Sequence, residues 1–191
     1  MEKGKLGNNF LKNLAEKKIV KLGILGGTFD PPHKGHLFIS KIAIKKFKLN
    51  KLYWLITKKN PLKSKPHFDI KKRKKFSKKI SVKEKKIFVK FLEDKVKSNN
   101  TYDLLKYIKN KNKKIKIYFI IGADNLVKFH RWKNWYKIPK LAKIVVFPRK
   151  NYSIKSLDSK VKKTLTKNDL IYVNSKSINI SSSLIRKFGK T

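Results

Sequence analysis

Cysteine is absent from the 191 residues. That excludes a disulfide framework, a thiolate metal cage and a cysteine nucleophile, and it fits a reducing compartment. Arginine is scarce: only Arg73, Arg131, Arg149 and Arg186 occur, so all but four of the 52 basic residues are lysine. Long apolar runs are also missing. No segment approaches the roughly 20 apolar residues of a membrane span, and the polar, basic stretch from Met1 to Lys18 has no signal-peptide core. We therefore expect a cytoplasmic protein with no membrane partner. Residues 1–18 read as a basic extension ahead of one domain over residues 19–191, a length that a single well-buried core accommodates.

Lysine is what the chain has in excess, and the formal net charge is +41. A field of that sign attracts phosphate polymers regardless of their sequence. Phosphate-reading surfaces, however, use arginine forks as well as lysine point charges. Asparagine, isoleucine and phenylalanine are plentiful alongside lysine, which resembles the bias of an AT-rich genome. The reading is a solvated basic surface with no specific nucleic-acid partner. The lysine runs at Lys71–Lys75 and Lys83–Lys86 are expected on an exposed helix face or loop.

Short, β-branched apolar runs recur at Lys18–Leu25, Leu52–Ile56, Ile87–Leu92, Ile115–Ile121, Ile144–Phe147 and Ile171–Val173, and they read as strands buried largely on both faces. Segments with helical spacing lie between them: His36–Phe47, Asp69–Ile80, Thr101–Lys109, Asn125–Trp135 and Leu157–Leu165. This alternation predicts an α/β fold, a Rossmann-like three-layer sandwich with a mainly parallel sheet. Ligands in such folds bind beyond the carboxyl ends of the strands, so the loops after the strands are the places to search.

The first of these loops is the most informative: Gly26-Gly27-Thr28-Phe29-Asp30-Pro31-Pro32-His33-Lys34-Gly35-His36, with helical spacing starting at once. Adjacent glycines let the backbone approach a ligand, and the paired prolines stiffen the turn. His33 and His36 sit three apart at a helix start, where unpaired N–H groups and the macrodipole favour an anion. A zinc pair is a rival reading, but only Asp30 is near as a third ligand. A glycine turn with two incidental histidines is the bland one.

A second candidate anion site lies near the C-terminus in Ile178-Asn179-Ile180-Ser181-Ser182-Ser183-Leu184-Ile185-Arg186. Hydroxyls at a helix start cap it, or, with Arg186 in the first turn, they clamp a polyphosphate. Between the two motifs, Ile121-Gly122-Ala123-Asp124-Asn125 follows a strongly apolar strand, where Asp124 caps the next helix or holds a ribose hydroxyl. Trp132 and Trp135, at helical spacing, would ordinarily count as core.

The first loop resembles the His-x-Gly-His motif of the nucleotidyltransferase superfamily, and the serine run resembles its Ile-Ser-Ser-Thr-x-x-Arg motif, with Ser183 in place of the threonine. The Gly122-Ala123-Asp124 turn followed by Trp132, the stretch Asn60-Pro61-Leu62-Lys63 and the helix start Thr101-Tyr102-Asp103 are similar to bacterial nicotinate-nucleotide adenylyltransferases. The resemblance implies adenylyl transfer from ATP to nicotinate mononucleotide, with Mg²⁺ carried mainly by ATP and no metal held by protein ligands alone. It implies catalytic roles for His33, His36 and Arg186. It also implies ATP contacts from Gly26, Gly27, Thr28, Phe29, Gly35, Gly122, Asp124, Ser181, Ser182 and Ser183, and acceptor contacts from Lys63, Thr101 and Trp132. Two positions depart from the pattern: Asn100 replaces an aromatic and Leu104 a second threonine. A pantetheine-phosphate adenylyltransferase or cytidylyltransferase would share the first loop, and a basic RNA-binding protein with an inactive fold is the alternative outside the enzyme class.

Overall fold

A computed structural model describes residues 19–60, 64–166, 168–175 and 180–188. The proposed extension over residues 1–18, and Lys63, lie outside the described residues. In chain order the elements are β1 (Val20–Gly27), α1 (Lys34–Lys46), β2 (Lys51–Ile56), α2 (Ile70–Ser81), β3 (Ile87–Lys90), α3 (Glu93–Val96), α4 (Thr101–Lys111), β4 (Ile115–Gly122) and α5 (Ala123–Val127). Two 3-10 turns (Phe129–Arg131 and Trp135–Lys140), β5 (Ala142–Phe147), α6 (Ser153–Leu157), α7 (Lys160–Thr164), β6 (Leu170–Tyr172) and α8 (Ser182–Phe188) follow.

The strands form one sheet in the order β3-β2-β1-β4-β5-β6, every neighbouring pair parallel. Because side chains alternate across a strand, the central strands feed two separate cores. Ile117, Phe119 and Ile121 of β4 join Ile144 and Val146 of β5 beneath α4 and α5. Tyr118 and Ile120 join Val145 and Phe147 on the opposite face, with Ala43 of α1 and Trp54 of β2. Burial on both faces is why these strands read as nearly continuous apolar runs. The predicted three-layer α/β sandwich is the observed architecture. Among the described residues, no helix is long and apolar enough to cross a membrane.

Strand order reverses between β1 and β4, the switch point beyond whose strand ends ligands of such sheets bind. Leu25 of β1 pairs with Ile120 of β4, and continuing that register brings the terminal Gly27 and Gly122 side by side. Gly122 also pairs with Phe147 at the end of β5.

Two expected helices are divided. The segment Asn125–Trp135 is a short α-helix and two 3-10 turns, interrupted at Lys128 and at Asn134, the latter in the left-handed region at φ 54°. Leu126, Phe129, Trp132, Trp135 and Ile138 recur every three residues and all pack on one core. A helix with three residues per turn aligns such a series, whereas the 3.6-residue turn would rotate it off the core. Leu157–Leu165 likewise divides into α6 and α7, with the Ser159 hydroxyl accepting from Lys162 N to start the second piece. The run at 71–75 is not wholly exposed, since Arg73 within it is only 2% exposed.

Candidate active site

The loop after β1 is built around His33 and His36. His33 is the N-cap of α1, and its Nδ1 accepts from Gly35 N at 3.1 Å; in return His36 Nδ1 accepts from His33 N at 3.2 Å. This is a capping box made by two imidazoles, and it satisfies amides that would otherwise lack partners at the helix start. Both rings use Nδ1 as acceptor, which leaves the ring proton on Nε2. Each histidine therefore presents a single N–H donor. The Gly35 amide, expected from sequence to face the phosphates, is instead occupied by His33. Burial first, and the positive charge of Arg149 second, pull the His33 pKa down to about 4, so its ring is neutral near pH 7.

Aromatic packing holds the pair. The His33 and His36 ring centroids are 3.9 Å apart, and Phe29 lies 4.7 Å from His36 and 5.1 Å from Trp54. Phe29 has φ 50°, and this left-handed turn directs its ring into the core beneath His36. The ring is thus a support for His36. Trp54 Nε1 donates to Ser40 Oγ at 2.8 Å, and that hydroxyl donates to His36 O at 2.7 Å.

Gly35 is tightly enclosed: an added Cβ would lie 2.8 Å from both His33 Nδ1 and Ile180 Cγ2. A side chain there would push away the segment leading into the serine motif. Gly26 and Gly27 differ, because an added Cβ would meet nothing of the protein closer than 3.8 and 3.6 Å respectively, and Gly26 is exposed although the four residues before it are buried. They leave bare backbone at the switch point, where a ligand can approach.

The second motif folds onto the first. Ser182 Oγ donates to Pro31 O at 2.8 Å. Arg186 Nη1 donates to Asp30 O and, at 3.4 Å, to Asp30 Oδ2, while Nη2 donates to Ser183 Oγ at 3.4 Å. Ser181 Oγ accepts from Leu184 N at 3.1 Å, so the cap and the inter-motif contact are divided between neighbouring serines. Thr28, Asp30, Ser183 and Arg186 line one recess of about 280 Å³ with Ser64, Lys65 and Pro66.

Thr101, on α4, and Trp132 belong to segments packed on the other face of the sheet. Asn100, not Thr101, caps α4, its side chain accepting from Asp103 N at 3.0 Å; the Thr101 hydroxyl is not used for capping. Asp124 is not a cap either: Gly122 occupies that position, and the Asp124 carboxylate folds back over it, with Oδ1 only 2.4 Å from where a Gly122 Cβ would stand. Trp132 is half-buried, 4.9 Å from Phe129 and 6.1 Å from Phe119, ring to ring.

Three residues that hold the site together were missed or weighed differently from sequence. Asp30, considered only as a metal ligand, accepts from His67 N at 2.7 Å, from Phe68 N at 2.9 Å and from Arg186. Arg73 donates to Thr28 O and Thr57 O at 2.7 Å each, to Phe68 O at 2.9 Å and to Lys58 O at 3.2 Å, joining the loops after β1 and β2. Arg149, just beyond β5, acts electrostatically on His33. A signal existed: in a chain that writes lysine almost everywhere, an arginine marks a place where a planar fork is needed.

A parallel sheet with order 3-2-1-4-5-6, a glycine-histidine loop at its switch point and a serine-arginine helix docked on that loop define a nucleotidyltransferase of the cytidylyltransferase-like class, whose family model matches residues 24–188. Within that class the chain belongs to the nicotinate-nucleotide adenylyltransferase family. It is 53% identical over 175 residues to the probable nicotinate-nucleotide adenylyltransferase of Pelagibacter ubique, covering 92% of this chain and 96% of the relative. The corresponding Ruegeria protein is 37% identical over 128 residues, 67% of each chain. The Plasmodium falciparum nicotinic acid mononucleotide adenylyltransferase, solved with NaAD, superposes with a TM-score of 0.70 at 26% identity, over 88% of this chain and 83% of that one.

Proposed function

We propose that the protein transfers the adenylyl group of ATP to nicotinate mononucleotide, forming nicotinate adenine dinucleotide and pyrophosphate. The observation that carries this reading is the docking of Ser182 on Pro31 and of Arg186 on Asp30, which gathers two phosphate-binding motifs from opposite ends of the chain into one recess at the switch point. A phosphate oxygen of the mononucleotide attacks the α-phosphorus of ATP, the bond to the bridging oxygen breaks, and pyrophosphate leaves with that bonding pair. No protein base is required, because a phosphate monoester with a second pKa of about 6 is already dianionic near neutral pH. The work left to the protein is positioning and charge stabilisation.

In this reading His33 and His36 donate from Nε2 to the phosphates, Arg186 supplies a fixed positive charge, and the backbone of Gly26, Gly27 and Thr28 lies along the nucleotide. Trp132 and Thr101 serve the acceptor face, and Gly122 and Asp124 at the strand end contact ATP. Mg²⁺ enters as part of the substrate MgATP. Both Asp30 oxygens already accept protein N–H groups. A cytoplasmic location goes with two charged nucleotide substrates that do not cross membranes unaided.

The test is pyrophosphate release by the purified protein with ATP and Mg²⁺, offering nicotinate mononucleotide, nicotinamide mononucleotide or phosphopantetheine. Turnover highest with the first is expected. Preference for another acceptor would replace the substrate assignment, and no turnover with any of them would remove the enzymatic reading.

A further inference from the structure

A chain of contacts runs from the interior of the sheet to His36. Trp54 of β2 and Ser40 of α1 are both wholly buried. The Trp54 indole Nε1 donates to Ser40 Oγ at 2.8 Å, and that hydroxyl donates to His36 O at 2.7 Å. The direction of the chain is fixed, because an indole N–H only donates and a carbonyl only accepts. A second route joins the same two residues through rings. Phe29 is stacked on Trp54 at 5.1 Å and lies 4.7 Å from His36, while the Trp54 and His36 rings are themselves 6.0 Å apart. Trp54 is in turn fixed to the sheet, in register with Leu25 of β1, the residue before Gly26. A serine in a helix often bonds the carbonyl four residues back, and that bond by itself is local. Here a donor from another element extends it, so the first turn of α1, which carries His36, is tied to the strand beneath it.

We infer that Trp54 is a positioning residue for His36: its indole N–H, acting through the Ser40 hydroxyl, sets where the imidazole stands relative to the ATP phosphates. This rests on the reading of His36 as a phosphate donor given above. A pre-organised donor stabilises developing charge only at hydrogen-bond distance, roughly 2.7–3.1 Å from the oxygen concerned, and a small misplacement costs rate. Both members of the chain are shielded from solvent, so bulk water does not replace a lost bond. Trp54→Phe keeps an aromatic ring against Phe29 while removing the N–H donor.

The experiment is steady-state kinetics of dinucleotide formation by the wild type, Trp54→Phe, His36→Ala and the double variant, with MgATP and nicotinate mononucleotide. Turnover by the wild type and its loss in His36→Ala test the assigned reaction and the role of His36 whatever Trp54 does. Trp54→Phe is expected to lower kcat about tenfold and to leave the KM for nicotinate mononucleotide within about twofold. On the His36→Ala background the same substitution should lower kcat by less than about twofold, because the group it positions is gone. A protein that merely folds less well loses the same factor on both backgrounds. Equal losses would therefore overturn the proposal, as would an unchanged kcat in Trp54→Phe or a loss expressed mainly in the KM for nicotinate mononucleotide. Should Trp54→Phe not fold, Ser40→Ala carries the test, since it breaks the same chain in the middle. It should show the same loss of kcat on the wild-type background and little on His36→Ala; equal losses on the two would again overturn the proposal.

Discussion

The two faces of the sheet meet at one switch point but are built differently. On the α1 side, the groups around it are locked by hydrogen bonds: His33 to His36, Ser182 to Pro31, Arg186 to Asp30, and Arg73 to four carbonyls. On the α4 side, Trp132 is held by ring contacts with Phe119 and Phe129, and α4 packs through Leu104, Leu105 and Ile108. Directional bonds fix donors to within tenths of an ångström, as charge stabilisation at phosphorus requires. Apolar packing fixes a surface, which suits recognition of a flat ring and tolerates replacement of its components. In the proposed reading the first face carries the reaction and the second the choice of acceptor.

The strongest way to break that comparison is to remove a donor from the α1 face. His36→Ala should lower kcat/KM by about 10²–10³-fold, the usual cost of one pre-organised donor, with near-native circular dichroism. A loss below tenfold would move the chemistry elsewhere. Arg73→Lys should cost about 3 kcal/mol of stability in urea unfolding, because a lysine cannot reach four carbonyls and leaves buried acceptors unpaired. A cost under 1 kcal/mol would show that the loops after β1 and β2 hold without this fork.

The comparison is sharpened by pH. The His33 pKa is lowered from 6.5 to about 4, so between those values the unfolded chain binds more protons than the folded one. Stability should be complete above pH 6.5 and fall as the pH drops through about 4, by at most about 3 kcal/mol from this residue. His33→Asn, which retains a cap acceptor for Gly35 N, should flatten that part of the Tm-versus-pH curve. Activity, by contrast, should lose its acid limb near pH 6 with the acceptor phosphate and not with His33. The smallest effect is expected on the α4 face: Trp132→Ala should raise the acceptor KM about tenfold and leave the ATP KM unchanged, with Trp132→Phe in between. Equal changes in both KM values would erase the division between the faces.

Much of this was legible before any coordinates. The strands announced themselves as β-branched runs because both faces of a central parallel strand are buried. The two phosphate motifs were legible because glycine, histidine, serine and arginine at those spacings have few purely structural uses. Less legible was the segment after β4, where apolar residues at every third position pass for an α-helix over so short a stretch. Asp30 was weighed only as a third metal ligand, because nothing local reveals donors that lie 37, 38 and 156 residues away.

By itself, the sequence determined the layer architecture, since periodicity is a local property, and, through the resemblance of its two terminal motifs to a known family, the reaction class. Only the tertiary structure decided which ring nitrogen each histidine presents, that Phe29 supports rather than lines the site, and that Asp30 and Arg73 clamp the loops together. Those outcomes depend on hydrogen-bond partners brought close by the parallel crossovers, and a partner's position in space is not a property of its neighbours in the chain.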